Sequence, residues 1–313
     1  MFKKAFLFGL LFFVLLSNAQ IVRTQLPDTI SYWRKTNELG LDISQITFVN
    51  WNAGGNNSVS GLLKGRFVRA YIKGNVNWRN ELIARYGINK QEKQDVRKTD
   101  DQLQINSTFG YKKDSLSNWY YAGKFNFHTQ FANGYAYPNT SLAISKPFAP
   151  AYTFLGVGSE YSRKDLNLTI YLSPLTQKTT LVFDQRLADQ GAFGVEKALY
   201  DEFGNLIRKG KNIRNETGFL LTNQWKRELI KNIRLEHRVS LYTDYLNNFG
   251  NVDVDWQLQL DMTVNQYVKA NIGTHLVYDD DIKTKVEENG VQVIKGPKVQ
   301  FKQLLGVGIV YQF

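Results

Sequence analysis

Apolar and polar residues alternate along most of the chain from Leu41 onward. In the clearest run, Val252 to Val264, every second residue is apolar and the residues between are Asp, Gln or Thr. A period of two places alternate side chains on opposite faces of a β-strand. The best runs span about 10 to 13 residues, whereas a soluble strand averages about 5 to 6 and a tilted strand that crosses a bilayer needs about 9 to 11. Their length therefore indicates membrane-crossing strands.

The pattern predicts about twelve such strands. They are expected at residues 41–49, 58–72, 75–87, 101–111, 119–131, 151–161, 166–172, 216–227, 233–245, 252–264, 268–278 and 299–313. An even number lets an antiparallel barrel close with both chain ends on one side, and alternating long and short connections are typical of extracellular loops and periplasmic turns. The sequence thus predicts an all-β fold, an antiparallel transmembrane outer-membrane β-barrel over residues 41–313, with long extracellular loops and short periplasmic turns.

Aromatic residues on the apolar faces agree with this orientation. Trp78 and Trp119 fall at the predicted periplasmic ends of their strands, and Tyr86 and Tyr245 fall at the extracellular ends. Aromatic rings prefer the two headgroup levels of a bilayer. Two aromatic girdles are therefore expected around the barrel.

The last predicted strand ends the chain with Leu305, Val307, Ile309, Tyr311 and Phe313 in alternation. This strand resembles the terminal strand by which outer-membrane barrels are recognised for assembly. Tyr311 and Phe313 are the expected assembly signal, and the barrel-assembly machinery is an expected partner.

The first nineteen residues have the features of a signal peptide. Lys3 and Lys4 are basic, an apolar run extends from Ala5 to Leu16, and Ala19 ends a small-residue cleavage motif. The apolar run is shorter than the roughly 18 to 20 residues that a spanning helix needs. The sequence predicts cleavage near Ala19, a periplasmic lead-in over residues 20–40, and location of the mature chain in the bacterial outer membrane.

Composition narrows the chemistry and the partners. The chain has no cysteine and three histidines, which excludes disulfide frameworks, thiolate metal sites and thiol nucleophiles. The formal charge is +11, and removal of Lys3 and Lys4 leaves 11 − 2 = +9. Because Lys and Arg are spread along the chain of an exported protein, the charge indicates attraction to anionic outer-membrane lipid and lipopolysaccharide, and no nucleic acid partner is expected.

Six short strings carry a resemblance to a known family. They are residues 31–35 (SYWRK), 50–58 (NWNAGGNNS), 97–101 (RKTDD), 148–152 (FAPAY), 191–194 (GAFG) and 278–281 (YDDD). They resemble a Bacteroidota family, number three-thousand-and-seventy-eight among the domains of unknown function, whose members are regarded as exported and barrel-like. The resemblance implies location and fold but no catalytic residues.

If the apolar faces meet lipid, the charged positions between them face the barrel interior. The lumen-lining candidates are Arg79, Glu81, Arg85, Lys124, His128, Arg234, Glu236, Arg238, Asp253, Asp255, Asp261 and His275. Both signs are mixed, and about twelve strands enclose a lumen between the filled eight-stranded barrels and the aqueous channels of about 16 to 18 strands. These residues either orient a small solute in a conduit or close the lumen by cross-strand ion pairs.

Three aspartates, Asp279, Asp280 and Asp281, follow the eleventh predicted strand at the extracellular rim. Clustered carboxylates can bind a divalent cation such as Ca²⁺, whereas most acidic runs at strand ends are simply solvated. A divalent cation at this rim is the one candidate cofactor, and none other is expected.

A hydrolase needs a nucleophile within reach of a base. His237 and Ser240 point to opposite faces of a strand, and Asp279 lies about 13 Å from His275 along an extended strand. His128 and His275 remain candidates only if other strands bring a serine or a carboxylate to them.

The sequence favours a passive or gated conduit for a small polar or lipidic solute. Two alternatives stay open: a non-conducting accessory or structural subunit of a larger outer-membrane complex, with other outer-membrane proteins as partners, and a surface hydrolase built into the barrel. The longest predicted connection, residues 173–215, is a candidate plug or docking surface because it is too long for a bare loop.

Overall fold

The computed structural model describes residues 31–47, 56–114, 116–247, 249–288 and 291–313. Twelve strands pair in sequence order, each antiparallel to its neighbours, and the last strand pairs with the first to close a barrel. The predicted fold class and number of strands are confirmed. The predicted signal peptide lies outside the described residues.

The barrel strands are numbered here in chain order. They are β1 (Trp33–Ile46), β2 (Ser58–Lys73), β3 (Val76–Gln91), β4 (Arg97–Tyr111), β5 (Trp119–Thr129), β6 (Ala151–Arg163), β7 (Leu168–Leu181), β8 (Ile213–Ile230), β9 (Ile233–Asp244), β10 (Asp253–Thr263), β11 (Val268–Tyr278) and β12 (Gln300–Gln312). At the seam between β12 and β1, the backbone N–H of Phe313 donates to Asn37 O at 3.2 Å. Phe313 therefore helps to close the barrel, while its role with Tyr311 as an assembly signal stays a prediction.

Two strand boundaries differ from the prediction by more than four residues. β1 begins at Trp33, so the predicted lead-in over 20–40 is wrong for residues 33–40, which pair with β2. The alternation is weak there because Lys35 and Asn37 occupy outward positions; residues 20–30 lie outside the described part of the chain. β7 continues to Leu181, past a register irregularity opposite β8. The connection predicted at 173–215 is therefore residues 182–212.

Connections alternate in length around the ring. One end of the barrel, called the short-turn end, carries the start of β1 and the end of β12. It also carries the turns after β2, β4, β6, β8 and β10. The opposite long-loop end carries residues 130–150, 182–212 and 279–299 as its longest described connections. The connection at 92–96 is a short exception at this end. In the described connections, three loop hairpins extend the long-loop end: Gly134–Tyr135 with Ala143–Ser145, Leu199–Tyr200 with Leu206–Arg208, and Lys283–Glu288 with Val291–Pro297.

The outward face of the barrel is apolar and has aromatic residues at both ends. Leu305 is 73% exposed, and many other outward aliphatic side chains are exposed as well. At the short-turn end the ring of Trp33 lies 5.3 Å from that of Tyr71 and 5.9 Å from that of Trp78. Exposed Tyr86 lies toward the long-loop end. Such an apolar band between aromatic levels fits a lipid environment.

One sector of the interior is filled. Ala122 on β5, Tyr171 on β7, Leu220 on β8 and Tyr242 on β9 are buried together, and Phe154 on β6 packs against them. The rings of Phe154 and Tyr242 meet edge to face at 5.8 Å. The sequence predicted an interior lined by charges and missed this apolar cluster, which confines the lumen to the rest of the barrel.

Candidate functional site

A buried lysine is the centre of a charged cluster at the long-loop end. The side chain of Lys178 on β7 is 4% exposed, and its Nζ lies 2.6 Å from Asp253 Oδ2, 3.3 Å from Asp279 Oδ2 and 3.8 Å from Glu216 Oε2. The ammonium also lies over the ring of Tyr242, 5.3 Å from its centroid. Since β7 and β11 are four strands apart in the ring, the contact with Asp279 crosses the lumen.

Arg214, at the start of β8, joins three segments of the chain at the same end. Its guanidinium donates to Gly194 O at 3.0 Å, to Glu216 Oε1 at 3.3 Å and to Asp281 Oδ2 at 2.5 Å. Gly194 belongs to the connection 182–212, and Asp281 follows β11. The barrel wall is therefore tied by charge to two long loops.

Residues 182–212, called the lid below, fold into a structure of their own. They contain helix α1 (Gln185–Asp189) and a 3₁₀ turn (Ala192–Gly194). The lid buries a small apolar core with Ala149 from the β5–β6 connection, and this core is completed by Val182, Leu187, Ala188 and Val195. Within the described ranges no helix is long and apolar enough to span a membrane.

The lid lies across the mouth of the barrel. Its contact with Ala149 is beside β6, two residues before that strand begins, and its contact through Gly194, Arg214 and Asp281 is on the β11 side. β6 and β11 are five strands apart in a ring of twelve, so they stand on nearly opposite sides of the barrel. A segment that reaches both connections must cover the opening between them.

Asp184 fixes the start of helix α1 and the attachment of the lid. Its Oδ1 accepts from Leu187 N at 3.0 Å, and its Oδ2 lies 2.5 Å from Lys146 Nζ in the β5–β6 connection. Partial burial raises the pKa of this carboxyl, but the bonds from Lys146 and the Leu187 N–H outweigh that effect and leave the pKa below its ordinary value.

We expect Asp184→Ala to weaken the lid by about 1–2 kcal/mol, because a lost N-cap costs about 1 kcal/mol and a half-exposed ion pair adds up to about 1 kcal/mol. Since the folded pKa is depressed, the contribution of Asp184 is present above the ordinary Asp value of about 3.9 and is lost as the pH falls through the lower folded value. Hydrogen exchange of residues 185–195 measures both effects. The control Glu202→Ala, at the exposed hairpin turn of the lid, should exchange at the wild-type rate. If Asp184→Ala also exchanged at the wild-type rate, Asp184 would not hold the lid as assigned.

The sector of the interior away from the apolar cluster is charged and open to water. Asp100 on β4 lies 2.6 Å from Lys302 Nζ on β12 and 2.9 Å from an Nη of Arg85 on β3. β4 and β12 are again four strands apart, so the first contact crosses the lumen. The side chains of Lys302 and Asp255 are 42% and 48% exposed although they are on the inward face.

Two matching charge triplets lie nearer the short-turn end. Each consists of one carboxylate between two cations: Arg66, Glu81 and Arg79 on β2 and β3, and Lys226, Glu236 and Arg238 on β8 and β9. Because β3 and β9 are on opposite sides of the ring, the triplets face each other across the lumen.

His275 has a carboxylate partner that the sequence did not identify. Its Nε2 lies 3.0 Å from Asp255 Oδ1 on the neighbouring strand, because the register places His275 opposite Gln257, two residues from Asp255 on the same face. The ring of His128 lies 6.5 Å from that of Tyr152. Among the described residues no serine or threonine hydroxyl bonds to His275, so the pair has the orienting carboxylate of a hydrolase but no nucleophile beside it.

The three rim aspartates have three different partners. Asp279 binds Lys178, Asp281 binds Arg214, and Asp280 Oδ2 accepts from Asn251 Nδ2 at 2.7 Å. One oxygen each of Asp253, Asp279 and Asp280 lies within 4.8 Å of the others. A divalent cation at this place would compete with the Lys178 ammonium, and its binding stays a prediction.

The remaining predicted lumen residues lie on β5, β9 and β10. Lys124 Nζ is 2.9 Å from Glu160 Oε2 and 4.3 Å from the centroid of the Tyr171 ring. Asp261 Oδ1 accepts from Gln259 at 2.7 Å. Arg234 stands opposite Asp261 in the register and makes no ion pair in the described part of the chain.

Sequence reasoning missed Lys178, Arg214 and Arg66. Lys178 and Arg214 fall inside the predicted connection 173–215, where no strand parity was assigned. Arg66 is the inward register partner of Glu38 and Ile83. The signal that could have found all three is the inward parity of the full strands.

The comparisons with known proteins bear on the family resemblance. Residues 43–135 match the family described as "Protein of unknown function (DUF3078)". This confirms the resemblance over that segment. No curated protein matches the chain.

Several solved barrels are similar to the chain at low identity. The outer membrane channel from Pseudomonas putida F1 is 10% identical, with 91% of this chain and 99% of that chain covered and a TM-score of 0.40. The translocator domain of autotransporter NalP from Neisseria meningitidis is 12% identical, with 90% and 87% covered and a TM-score of 0.36. Identities and TM-scores this low indicate nothing about the function of this chain.

Proposed function

We propose that the protein is a bacterial outer-membrane conduit for small polar solutes, held closed by its lid. The observation that carries this proposal is the combination of an apolar outward face with water-accessible charged side chains on the inward face, such as Asp255 and Lys302. A barrel that served only as a membrane anchor could fill its interior with packed side chains. Among the residues that the structure describes, apolar packing fills one sector of the interior.

The long-loop end supports a gated version of the conduit. The lid crosses the mouth, and ion pairs centred on Lys178 and Arg214 close the space below it. Such contacts are individually breakable, so a closed and an open arrangement of the lid can exchange.

Single-channel recording in a planar bilayer tests the proposal. The chain without its first nineteen residues, refolded and inserted, is expected to give discrete current steps with long closed intervals. Heat-denatured protein from the same preparation is the control. Silence from a preparation shown to be folded by circular dichroism would contradict an opening conduit.

A non-conducting accessory subunit is the second candidate, and one observation favours it. The lid hairpin formed by Leu199–Tyr200 and Leu206–Arg208 exposes Phe203 by 89% at its turn. Asp201 Oδ1 fixes this turn by accepting from Phe203 N at 3.0 Å and from Asn205 N at 2.7 Å. A rigid exposed aromatic tip is typical of a protein contact. If the folded barrel is silent, native co-purification with wild type and with Phe203→Ser becomes the deciding comparison.

A further inference from the structure

We propose that the two charge triplets form a binding site for small oxyanions, solutes that carry a carboxylate or a phosphate group, inside the lumen. The inference deepens the proposed function, because it names the class of solute that a conduit of this kind would select. Binding itself needs only the folded barrel, so it can be tested separately from conduction.

The two triplets have the same internal arrangement. Glu81 Oε1 lies 2.6 Å from Arg66 Nε and 3.8 Å from an Nη of Arg79. Across the lumen, the Glu236 carboxylate lies 2.5 Å from Arg238 Nε and 2.9 Å from Lys226 Nζ. In each triplet one carboxylate is shared by two cations, so each triplet has a net charge of +1.

The triplets are close enough to interact across the lumen. Glu81 interacts electrostatically with Arg238 on the far wall as well as with its own arginines, and Arg66 interacts with Glu236. Arg79 is repelled by Arg238. Two surplus positive charges therefore face each other, and an anion placed between them would relieve their repulsion.

Neighbouring inward charges do not cancel this surplus. On the other inward strand positions below the Lys178 cluster, seven cations stand against seven carboxylates: Arg34, Lys64, Arg85, Lys124, Arg234, Lys269 and Lys302 against Glu38, Asp42, Asp100, Glu160, Glu228, Asp255 and Asp261. The surplus of two positive charges thus belongs to the triplets.

The donor geometry suits an oxyanion. Arg66 and Arg238 use Nε for their carboxylates, and in the described part of the chain their terminal nitrogens make no hydrogen bond. The side chain of Arg79 is 47% exposed and holds Glu81 only at 3.8 Å. Planar guanidinium forks with free N–H groups bind carboxylate and phosphate oxygens in pairs.

Equilibrium binding tests the site directly. The probes are acetate and inorganic phosphate, titrated calorimetrically into the detergent-solubilised barrel at low ionic strength. We expect at least one probe to bind, and binding to weaken at least about fivefold in Arg79→Gln and in Arg238→Gln, since each removes one positive charge and its donors. Arg79→Lys, which keeps the charge but not the fork, is expected to fall between. The two probes show which oxyanion chemistry the site prefers.

The matched control is Lys231→Gln, which removes one positive charge from the exposed β8–β9 turn at the same end of the barrel. Its binding should equal that of wild type. In recordings under a salt gradient, the anion-to-cation permeability ratio is expected above one and about threefold lower in Arg79→Gln.

The outcomes separate the two proposals. If the barrel conducts without anion preference and binds neither probe, the oxyanion site is overturned and the conduit proposal is unaffected. Probe binding that depends on Arg79 and Arg238 in a silent barrel supports the site and contradicts the conduit. Binding that is equal in wild type, Arg79→Gln and Arg238→Gln overturns the site, and if one variant fails to fold, the other decides.

Discussion

A variant without its lid is expected to stay open and to conduct at least several times more charge than wild type over the same recording. The change replaces residues 184–210 with a short Gly-Ser turn. The ends to be joined are close, because Val182 N donates to Asn212 O at 2.7 Å and Asn212 Nδ2 donates to Val182 O at 2.7 Å. The β7–β8 hairpin can therefore form without the lid, while the barrier across the mouth is gone.

A point variant tests the same barrier with less disturbance. Arg214→Gln loses the charged bonds to Asp281 and Glu216, and hydrogen bonds to charged groups contribute about 1.5–3 kcal/mol each. Since about 1.4 kcal/mol is a factor of ten, loss of one such bond shifts the closed-to-open ratio by about 10- to 100-fold. The measurement is open probability in single-channel recordings of both variants.

The control for the lid variants is Arg208→Gln, which removes the same charge from the exposed hairpin of the lid, away from the ion pairs of Lys178 and Arg214. Its open probability should match that of wild type. Wild-type gating in the variant without the lid would place the barrier elsewhere in the lumen, and the long-loop end would lose its assigned role.

The second large effect is expected at two glycines in the barrel wall. A Cβ added at Gly158 would lie 2.0 Å from Leu172 O, and one added at Gly218 would lie 2.0 Å from Thr243 O. Both contacts are with backbone, and the pairing register shifts beside each glycine. Gly158→Ala and Gly218→Ala should each lower the free energy of unfolding by about 3 kcal/mol or more, because the strand itself must move.

Urea unfolding in detergent, followed by tryptophan fluorescence, measures this loss. Gly273→Ala on β11 is the matched control, since a Cβ there has no neighbour within 4 Å. It should be neutral or slightly stabilising because alanine restricts the unfolded chain. If Gly158→Ala lowered the free energy of unfolding no more than Gly273→Ala does, the barrel wall could adjust to the added Cβ. The close approach of Gly158 to Leu172 O would then not be a requirement of the fold.

The sequence was sufficient for the architecture of the barrel. A period of two is a property of neighbouring residues, so the run from Val252 to Val264 identified β10 almost to the residue, and β11 has the bounds that were predicted. It failed where the local signal is weak: at β1, where outward polar residues interrupt the pattern, and at β7, where the chain passes Pro174.

Charge partners in the lumen depend on closure of the ring, which no local pattern contains. Lys178 meets Asp279, 101 residues away, and Lys302 meets Asp100, 202 residues away, because these side chains project from strands four apart into a narrow space. The pair of His275 and Asp255 needed only the β10–β11 register, which the predicted strand bounds already imply, so this contact could have been found from the sequence.

By itself, then, the sequence determined the class of fold, the number of strands, the apolar outward face and the inward position of the charged rows, since each follows from alternation and strand length. Only the tertiary structure decided that one interior sector is packed, that two charge triplets face each other, and that residues 182–212 cover the mouth. These features arise from contacts between segments far apart in the chain, and their geometry is set by the diameter and register of the closed barrel.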